Sequence, residues 1–105
     1  MPSALGTKIK DLRRAKDLTL EQLAQLTESS KSYMWELENK DVARPSGEKL
    51  NKIAAVLGVT PEYLADEGRT DPSAAVRDEA FYRKYQGAAP EVKDKIKRIL
   101  DLLDE

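Results

Sequence analysis

Helix start signals recur along this chain at short intervals, and they limit what it can fold into more than any other feature. The clearest is TLEQ, in which Thr19 can act as N-cap while the Gln22 side chain returns to the Thr19 amide as a capping box. Ser30, Ser46 and Thr60 can each cap a later helix. Because one helix must end before the next cap, the pattern predicts an all-α chain of short helices.

Apolar residues recur at helical spacing between these signals, and they give each predicted helix its approximate bounds. The expected helices are at residues 3–16, 20–27, 31–39, 47–57, from 60 or 61 onward, around 76–85 and around 92–103.

The stretch EGRTDPS, residues 67–73, concentrates Gly, Asp, Pro and Ser and therefore indicates a linker or sharp turn. We expect it to end the first compact unit, since a chain of 105 residues usually supports one small core. The predicted organisation is a five-helix domain at residues 1–66, a linker or turn at 67–74 and a helical C-terminal extension at 75–105.

The composition excludes most enzyme classes. The chain has no cysteine and no histidine, so it lacks disulfides, thiol catalysis, the commonest general base and the commonest metal ligand. The paired carboxylates Asp17 with Glu21 and Asp101 with Asp104 lie at predicted helix ends, in polar surroundings typical of a solvated surface. We expect a protein that is not an enzyme and that holds no metal or cofactor.

The sequence also lacks the signals of a membrane or secreted protein. It contains neither a run of about 18 apolar residues nor a charged-then-apolar N-terminal segment with a cleavage site. These absences favour a cytoplasmic protein with no membrane partner.

Charge is informative locally rather than in total. The formal net charge of −1 does not indicate a nucleic-acid partner. However, residues 1–16 carry five cations and one anion, a local charge of +4, whereas residues 101–105 are acidic. Positive charge is therefore concentrated at the start of the predicted domain.

The second and third predicted helices are short and separated by a tight turn, which is the layout of a helix-turn-helix DNA-binding unit. In such a unit the second helix lies over the sugar-phosphate backbone and the third enters the major groove. At about 100° per residue, Met34 and Leu37 form the buried stripe of the third helix. The opposite side carries polar and aromatic residues: Ser32, Trp35, Glu36 and Asn39.

The segment IKDLRRAKDLTLEQLAQLTESSKSYMWELENKDVARPSGEKLNKIAAVLGVTPEYLA resembles the phage-repressor type of helix-turn-helix protein, also called the Cro/CI or XRE family. The resemblance runs from about Leu5 to Asp66. It implies that Ala24 is the small residue of the second helix at its contact with the third helix, and that Arg13 and Glu38 form an ion pair. LGVTPEYL matches the closing turn and fifth helix of the family.

Three positions in this segment depart from the family pattern. Glu28 stands at the turn position where the family often has glycine, and Ser29 replaces a usually apolar residue. Leu20 stands where relatives often carry a glutamine that braces the phosphate and the recognition helix. The resemblance therefore does not extend that glutamine contact to this chain.

The resemblance implies DNA contacts for residues of the second and third helices and the loop that follows. Base-edge contacts are expected from Lys31, Ser32 and Glu36, and phosphate contacts from Thr19, Asn39 and Arg44. Ser30 is first an N-cap, with a direct DNA contact as its alternative role. To these we add Trp35, the only tryptophan, which can contact a thymine methyl or pack on a sugar edge.

Each of these assignments has an alternative. The alternative for Lys31 and Glu36 is that they belong to a solvated helix face and have no role in DNA binding. Tyr33, on the flank, can pack on the loop near Arg44 or touch phosphate. Trp35 can be buried by a partner chain or by a displaced C-terminal helix.

The C-terminal helices carry more apolar surface than a lone helical hairpin can hide. The residues expected to form a dimer surface are Phe81, Tyr85, Ile96, Ile99, Leu100 and Leu103. Packing of these helices on their own five-helix core is the alternative.

The sequence therefore predicts a transcription regulator that binds double-stranded DNA. We expect a repressor that binds a palindromic operator as a homodimer. One alternative is a DNA-binding antitoxin whose C-terminal helices bind a toxin. Another is an adaptor that keeps the fold, binds a protein partner and does not read DNA.

Overall fold

The computed structural model describes residues 3–41, 44–66 and 72–104, and these form helices without β-strands. The seven helices are α1 (Ala4–Ala15), α2 (Leu20–Leu26), α3 (Lys31–Asn39), α4 (Gly47–Leu57), α5 (Pro61–Ala65), α6 (Ala74–Gln86) and α7 (Pro90–Leu103). The predicted all-α fold is confirmed, and the bounds of α3 and α4 are those expected from the sequence.

The predicted caps set where the helices begin. The Thr19 hydroxyl accepts a hydrogen bond from the Gln22 amide at 3.0 Å, and the Gln22 side chain accepts from the Thr19 amide at 2.8 Å, which completes the capping box. Ser30, Ser46 and Thr60 each accept from the amide three residues later. Each cap satisfies a backbone donor that the helix itself leaves unpaired.

The core lies among α1 to α5. Its largest fully buried apolar side chains are Ile9, Leu23, Met34, Leu37, Ile53, Tyr63 and Leu64. Burial of these apolar side chains is the main favourable contribution to folding of the first five helices.

Helix α1 approaches α3 closely at Gly6. A Cβ atom built at this glycine would overlap the Leu37 carbonyl oxygen and lie 3.0 Å from the Glu38 carbonyl oxygen. Both obstructing atoms belong to the backbone of α3 and cannot rotate away. A glycine is therefore required at this point for the two helices to pack as they do.

Two of the five cations near the N-terminus are engaged inside the domain. The Lys8 ammonium is buried, donates to the backbone oxygens of Tyr63 and Asp66, and lies 4.4 Å from the centre of the Tyr63 ring. The Arg13 guanidinium pairs with Glu38. Part of the local positive charge seen in the sequence thus holds α1 against the rest of the domain.

The two C-terminal helices differ in how they meet this core. Helix α6 packs on α4 and buries Val76, whereas α7 buries none of its described residues. The radius of gyration is 15.2 Å, larger than the roughly 13 Å of a compact chain of this length. The alternative in which both helices bury their apolar faces against their own core is therefore not what the structure has.

One ion-pair cluster connects α6 to α5. The Arg83 guanidinium donates to both carboxylate oxygens of Glu62, at 3.1 and 3.3 Å, and also pairs with Glu79 at 3.1 Å. Hydrogen bonds from Arg83 lower the pKa of the Glu62 carboxyl. All three side chains are exposed, so the cluster adds little to stability and mainly orients α6.

The predicted linker lies mostly at residues 67–71, outside the described residues. Ser73 caps α6 by accepting from the Val76 amide at 3.2 Å, so this helix begins one residue before the expected start of the extension. Across the described part of the chain, none of the helices is both long enough and apolar enough to cross a membrane.

The close approach at Gly6 gives a testable prediction. Gly6→Ala should lower the free energy of unfolding by about 1–3 kcal/mol, because the overlap with the α3 backbone outweighs the better helix propensity of alanine. Gly47→Ala is the matched control, since a Cβ atom there meets nothing within 4 Å. Urea unfolding followed by circular dichroism measures both changes. Equal stabilities of the two variants would contradict this account of α1 and α3.

Candidate nucleic-acid interface

The turn between α2 and α3 contains a residue in the left-handed region. Glu28 has φ of 57°, a conformation that non-glycine residues adopt at a cost. Two lysines of α4 hold it there: Lys49 donates to the Thr27 and Glu28 carbonyl oxygens at 2.8 and 3.1 Å, and Lys52 pairs with the Glu28 carboxylate at 3.0 Å. The hydrogen bond from Lys52 also lowers the pKa of that carboxyl.

Polar bonds close the same turn where the family usually has an apolar side chain. The Ser29 amide donates to the Ala24 carbonyl oxygen at 2.8 Å, and the Ser29 hydroxyl donates to the Thr27 carbonyl oxygen at 3.3 Å. The buried Thr27 hydroxyl donates to the Leu23 carbonyl oxygen at 2.8 Å. These bonds fix the angle at which α3 leaves α2.

The inner face of α3 is fixed by packing and by an ion pair. Met34 and Leu37 are buried in the core, as their spacing predicted. Glu38 is 1% exposed and accepts two hydrogen bonds from Arg13, at 2.7 and 3.0 Å. Arg13 also donates to the Leu18 carbonyl oxygen at 2.8 Å. The ion pair implied by the family resemblance is confirmed, and it sets the rotation of α3 about its own axis.

The outer face of α3 forms the candidate interface. Four residues predicted to contact DNA line one shallow concavity together with the first residue of α2: Lys31, Ser32, Trp35, Glu36 and Leu20. The side chains contributed by α3 are all exposed, and Trp35 is 47% exposed. The tryptophan is therefore not covered by the chain's own C-terminal helices.

Thr19 and Ser30 lie at the N-terminal ends of α2 and α3, next to this face. Each is exposed and accepts a hydrogen bond from a backbone amide of its own helix. A hydroxyl that accepts such a bond can still donate one. Both residues can therefore cap their helices and offer a proton to a phosphate oxygen.

The other two predicted phosphate contacts lie elsewhere. The Asn39 side chain donates to the Trp35 carbonyl oxygen at 2.9 Å, near the C-terminal end of α3. Arg44 is exposed and lines a separate small hollow with Leu37 and Leu64. The structure therefore does not bring Asn39 or Arg44 into the concavity, and their DNA contacts, like those of the other residues, stay predictions.

Two cations near this face were not identified from the sequence. The Lys10 ammonium donates to the Asn39 side-chain oxygen at 3.5 Å, and the Lys40 ammonium lies 5.7 Å from the centre of the Trp35 ring. Lys40 follows the predicted third helix directly, so its place in the sequence could have identified it as a residue near this face. Lys10 belongs to α1, and only the packing of α1 against α3 brings it here.

Tyr33 lies on the flank of α3 and packs partly against the core. Burial raises the pKa of its phenol. It is accordingly not part of the concavity.

The predicted dimer surface is largely exposed. Phe81, Ile99, Leu100 and Leu103 are each more than half exposed, with Leu103 reaching 77%, while Tyr85 and Ile96 are half-buried. Tyr82, Val92 and Leu102, which are outside the predicted set, are exposed as well.

Comparison with protein families gives a match to a model described as a helix-turn-helix domain, over residues 4–66. These are the residues of α1 to α5 together with the first residue that follows α5.

Among curated proteins, the chain is similar to the HTH-type transcriptional regulator SinR of Bacillus subtilis (strain 168), with 36% identity over 63 residues. It is also 37% identical over 62 residues to RghRB of the same organism, described as an uncharacterized HTH-type transcriptional regulator. The matches cover 60% and 59% of this chain, but only 57% of SinR and 45% of RghRB. The chain thus spans about half the length of these relatives.

Two solved structures of SinR are similar to this one. A crystal structure of SinR, described as the master regulator for biofilm formation, in complex with DNA has a TM-score of 0.56 and 35% identity, covering 59% of this chain and 98% of that one. The complex of SinR with SinI has a TM-score of 0.59 and 26% identity, covering 95% and 94%.

The family model covers more than half of the chain, and its span coincides with the five helices that carry the fixed and exposed faces of α3. The chain therefore belongs to the Cro/CI-like family of helix-turn-helix DNA-binding proteins.

Proposed function

We propose that this protein is a sequence-specific DNA-binding transcriptional regulator that inserts α3 into the major groove. The observation that carries the proposal is the outer face of α3, where Lys31, Ser32, Trp35 and Glu36 are exposed side by side. The major groove, about 12 Å wide, admits one helix of about 10–12 Å diameter.

Each polar residue of this face has a partner on a base edge. Lys31 donates to O6 and N7 of a guanine, Glu36 accepts from the amino group of a cytosine, and Ser32 suits either kind of atom. Because the inner face of α3 is fixed by Glu38 and Arg13, the outer side chains meet the groove in one orientation.

Phosphate contacts position the domain on the duplex. The caps Thr19 and Ser30 donate from one end of the interface, while Asn39 and Arg44 contact the backbone beyond the other end. Lys10 and Lys40 add positive charge beside α3. This local positive charge accounts for an affinity for DNA that the net charge of −1 would not predict.

The comparisons support a role in transcription. Both curated relatives are named transcriptional regulators, and one similar structure contains DNA. We propose repression as the outcome, because a dimer seated on a palindromic operator can block a promoter.

Dimerisation is proposed through α6 and α7, so that residues 1–66 bind DNA and residues 75–105 pair two chains. One recognition helix contacts few base pairs, and two copies related by a two-fold axis double the site. Exposed apolar residues on both helices, including Phe81, Ile99 and Leu100, offer the surface that such pairing would bury.

A protein partner on the same helices is the second candidate. The match to the complex of SinR with SinI covers 95% of this chain, a span that includes α6 and α7, and 94% of the matched chain. In the antitoxin hypothesis that partner is a toxin, and in the adaptor hypothesis it replaces DNA altogether.

The DNA-binding proposal predicts a strong effect of Lys31→Ala. Loss of one base contact should weaken binding to a duplex selected from a random pool by about tenfold or more. Lys95→Ala, at an exposed lysine of α7, is the control and should bind as the wild type does. Fluorescence of Trp35 or an electrophoretic shift measures affinity, which should also fall steeply as salt rises.

Failure to select any sequence, or equal binding by both lysine variants, would count against recognition by α3. Binding that is insensitive to salt would favour the adaptor hypothesis.

The dimer proposal predicts that Leu100→Glu dissociates the pair. At 100° per residue, Leu100 shares a stripe with Ile96, Ile99 and Leu103, whereas Leu102 lies off it. Leu102→Glu therefore makes the same chemical change outside the expected contact. Light scattering should give about twice the 11.8 kDa chain mass for the wild type and Leu102→Glu, and the single mass for Leu100→Glu. A monomeric wild type would contradict the dimer and favour a different protein partner.

A further inference from the structure

We propose that Leu20 and Trp35 form an apolar hollow that recognises the 5-methyl group of one thymine in each half of the operator. The inference rests on the proposed function and specifies what one part of the same interface recognises. It concerns Leu20 in particular, which stands where a polar glutamine is frequent in the family.

The hollow has walls from two helices. Leu20 is the first residue of α2 and packs partly against the core, and this packing restrains its side chain. Trp35 comes from the outer face of α3 and lies across the same concavity. The Lys40 ammonium lies over its indole ring, which limits the directions in which the ring can turn.

Charged and polar groups surround these two walls. Lys31, Ser32 and Glu36 line the concavity together with Leu20 and Trp35. The group that enters must therefore be apolar at its tip and lie beside atoms that donate and accept hydrogen bonds.

The thymine methyl meets this description in the major groove. The other groups that distinguish the bases there are hydrogen-bond donors or acceptors, whereas the C5-methyl of thymine is apolar and cytosine carries only a C5–H at the same position. A polar atom pressed against Leu20 and Trp35 would lose its water without gaining a partner, which is unfavourable. The hollow thus selects for a thymine and against the other bases at that step.

The neighbouring side chains place this thymine in the site. Lys31 and Glu36 are proposed to contact a guanine and a cytosine, and both line the same concavity as Leu20 and Trp35. The recognised thymine should therefore lie next to a base pair that Lys31 or Glu36 contacts.

Replacement of thymine by uracil removes this methyl and leaves the Watson–Crick edge unchanged. Burial of one such group is worth about a fourfold change in affinity. In a palindrome with both halves changed, the effect multiplies to about fifteenfold for the dimer.

The experiment uses the full chain and the duplex obtained by selection. Each thymine is replaced by uracil in turn, symmetrically in both half-sites, and the Kd is measured for the wild type, Trp35→Ala, Leu20→Gln and Leu26→Ala. Leu26 is an exposed apolar residue of α2 that does not line the hollow, so Leu26→Ala is the matched control. Leu20→Gln keeps the indole in place and remains informative if Trp35→Ala binds too weakly to measure.

The expected result is one position at which uracil weakens binding about fifteenfold in the wild type and in Leu26→Ala. In Leu20→Gln and Trp35→Ala the same replacement should change the Kd less than twofold. This coupling between methyl and side chain separates a direct contact from an effect of uracil on DNA shape.

Two results would overturn the inference while leaving the proposed function intact. In one, the wild type binds the selected duplex tightly and no uracil weakens it. In the other, uracil weakens the wild type and both hollow variants equally, so that the methyl is sensed elsewhere. Failure to bind any selected duplex would instead remove the proposed function and this inference together.

Discussion

The contact between α1 and α3 is the constraint on which the rest of this structure depends. Gly6 lets the two backbones approach, and the buried pair of Arg13 with Glu38 fixes their rotation. Removal of either partner from such a pair leaves an uncompensated charge in the interior, which is costly. The pair therefore specifies one orientation of α3, and the direction of the outer side chains follows from it.

This arrangement explains how a chain with little net charge can still be proposed to bind DNA. Lys8 and Arg13 account for two of the five cations near the N-terminus, and both bind groups within the domain. Lys10 and Lys40 lie beside α3, although Lys10 also donates to the Asn39 side chain. A chain with a formal charge of −1 can thus carry positive charge beside α3, where the DNA phosphates would lie.

Local signals in the sequence were sufficient to predict the helices and which residues of α3 lie on its exposed face. Caps and apolar spacing act within a few residues, so the bounds of α3 and the exposure of Trp35 could be predicted without a structure. The positions of Lys10 and Arg44 could not, because they depend on how separate elements pack. The packing of α6 on α4 could not be predicted either, because an amphipathic pattern does not identify the element against which its apolar face packs.

The central claim is that the outer face of α3 meets the bases, and nuclear magnetic resonance of the 15N-labelled chain tests it most directly. On addition of the selected duplex, the account predicts the largest shift changes at the Trp35 indole N–H and at the backbone amides of residues 31–36. Shift changes confined to α6 and α7, with the indole signal unmoved, would contradict it.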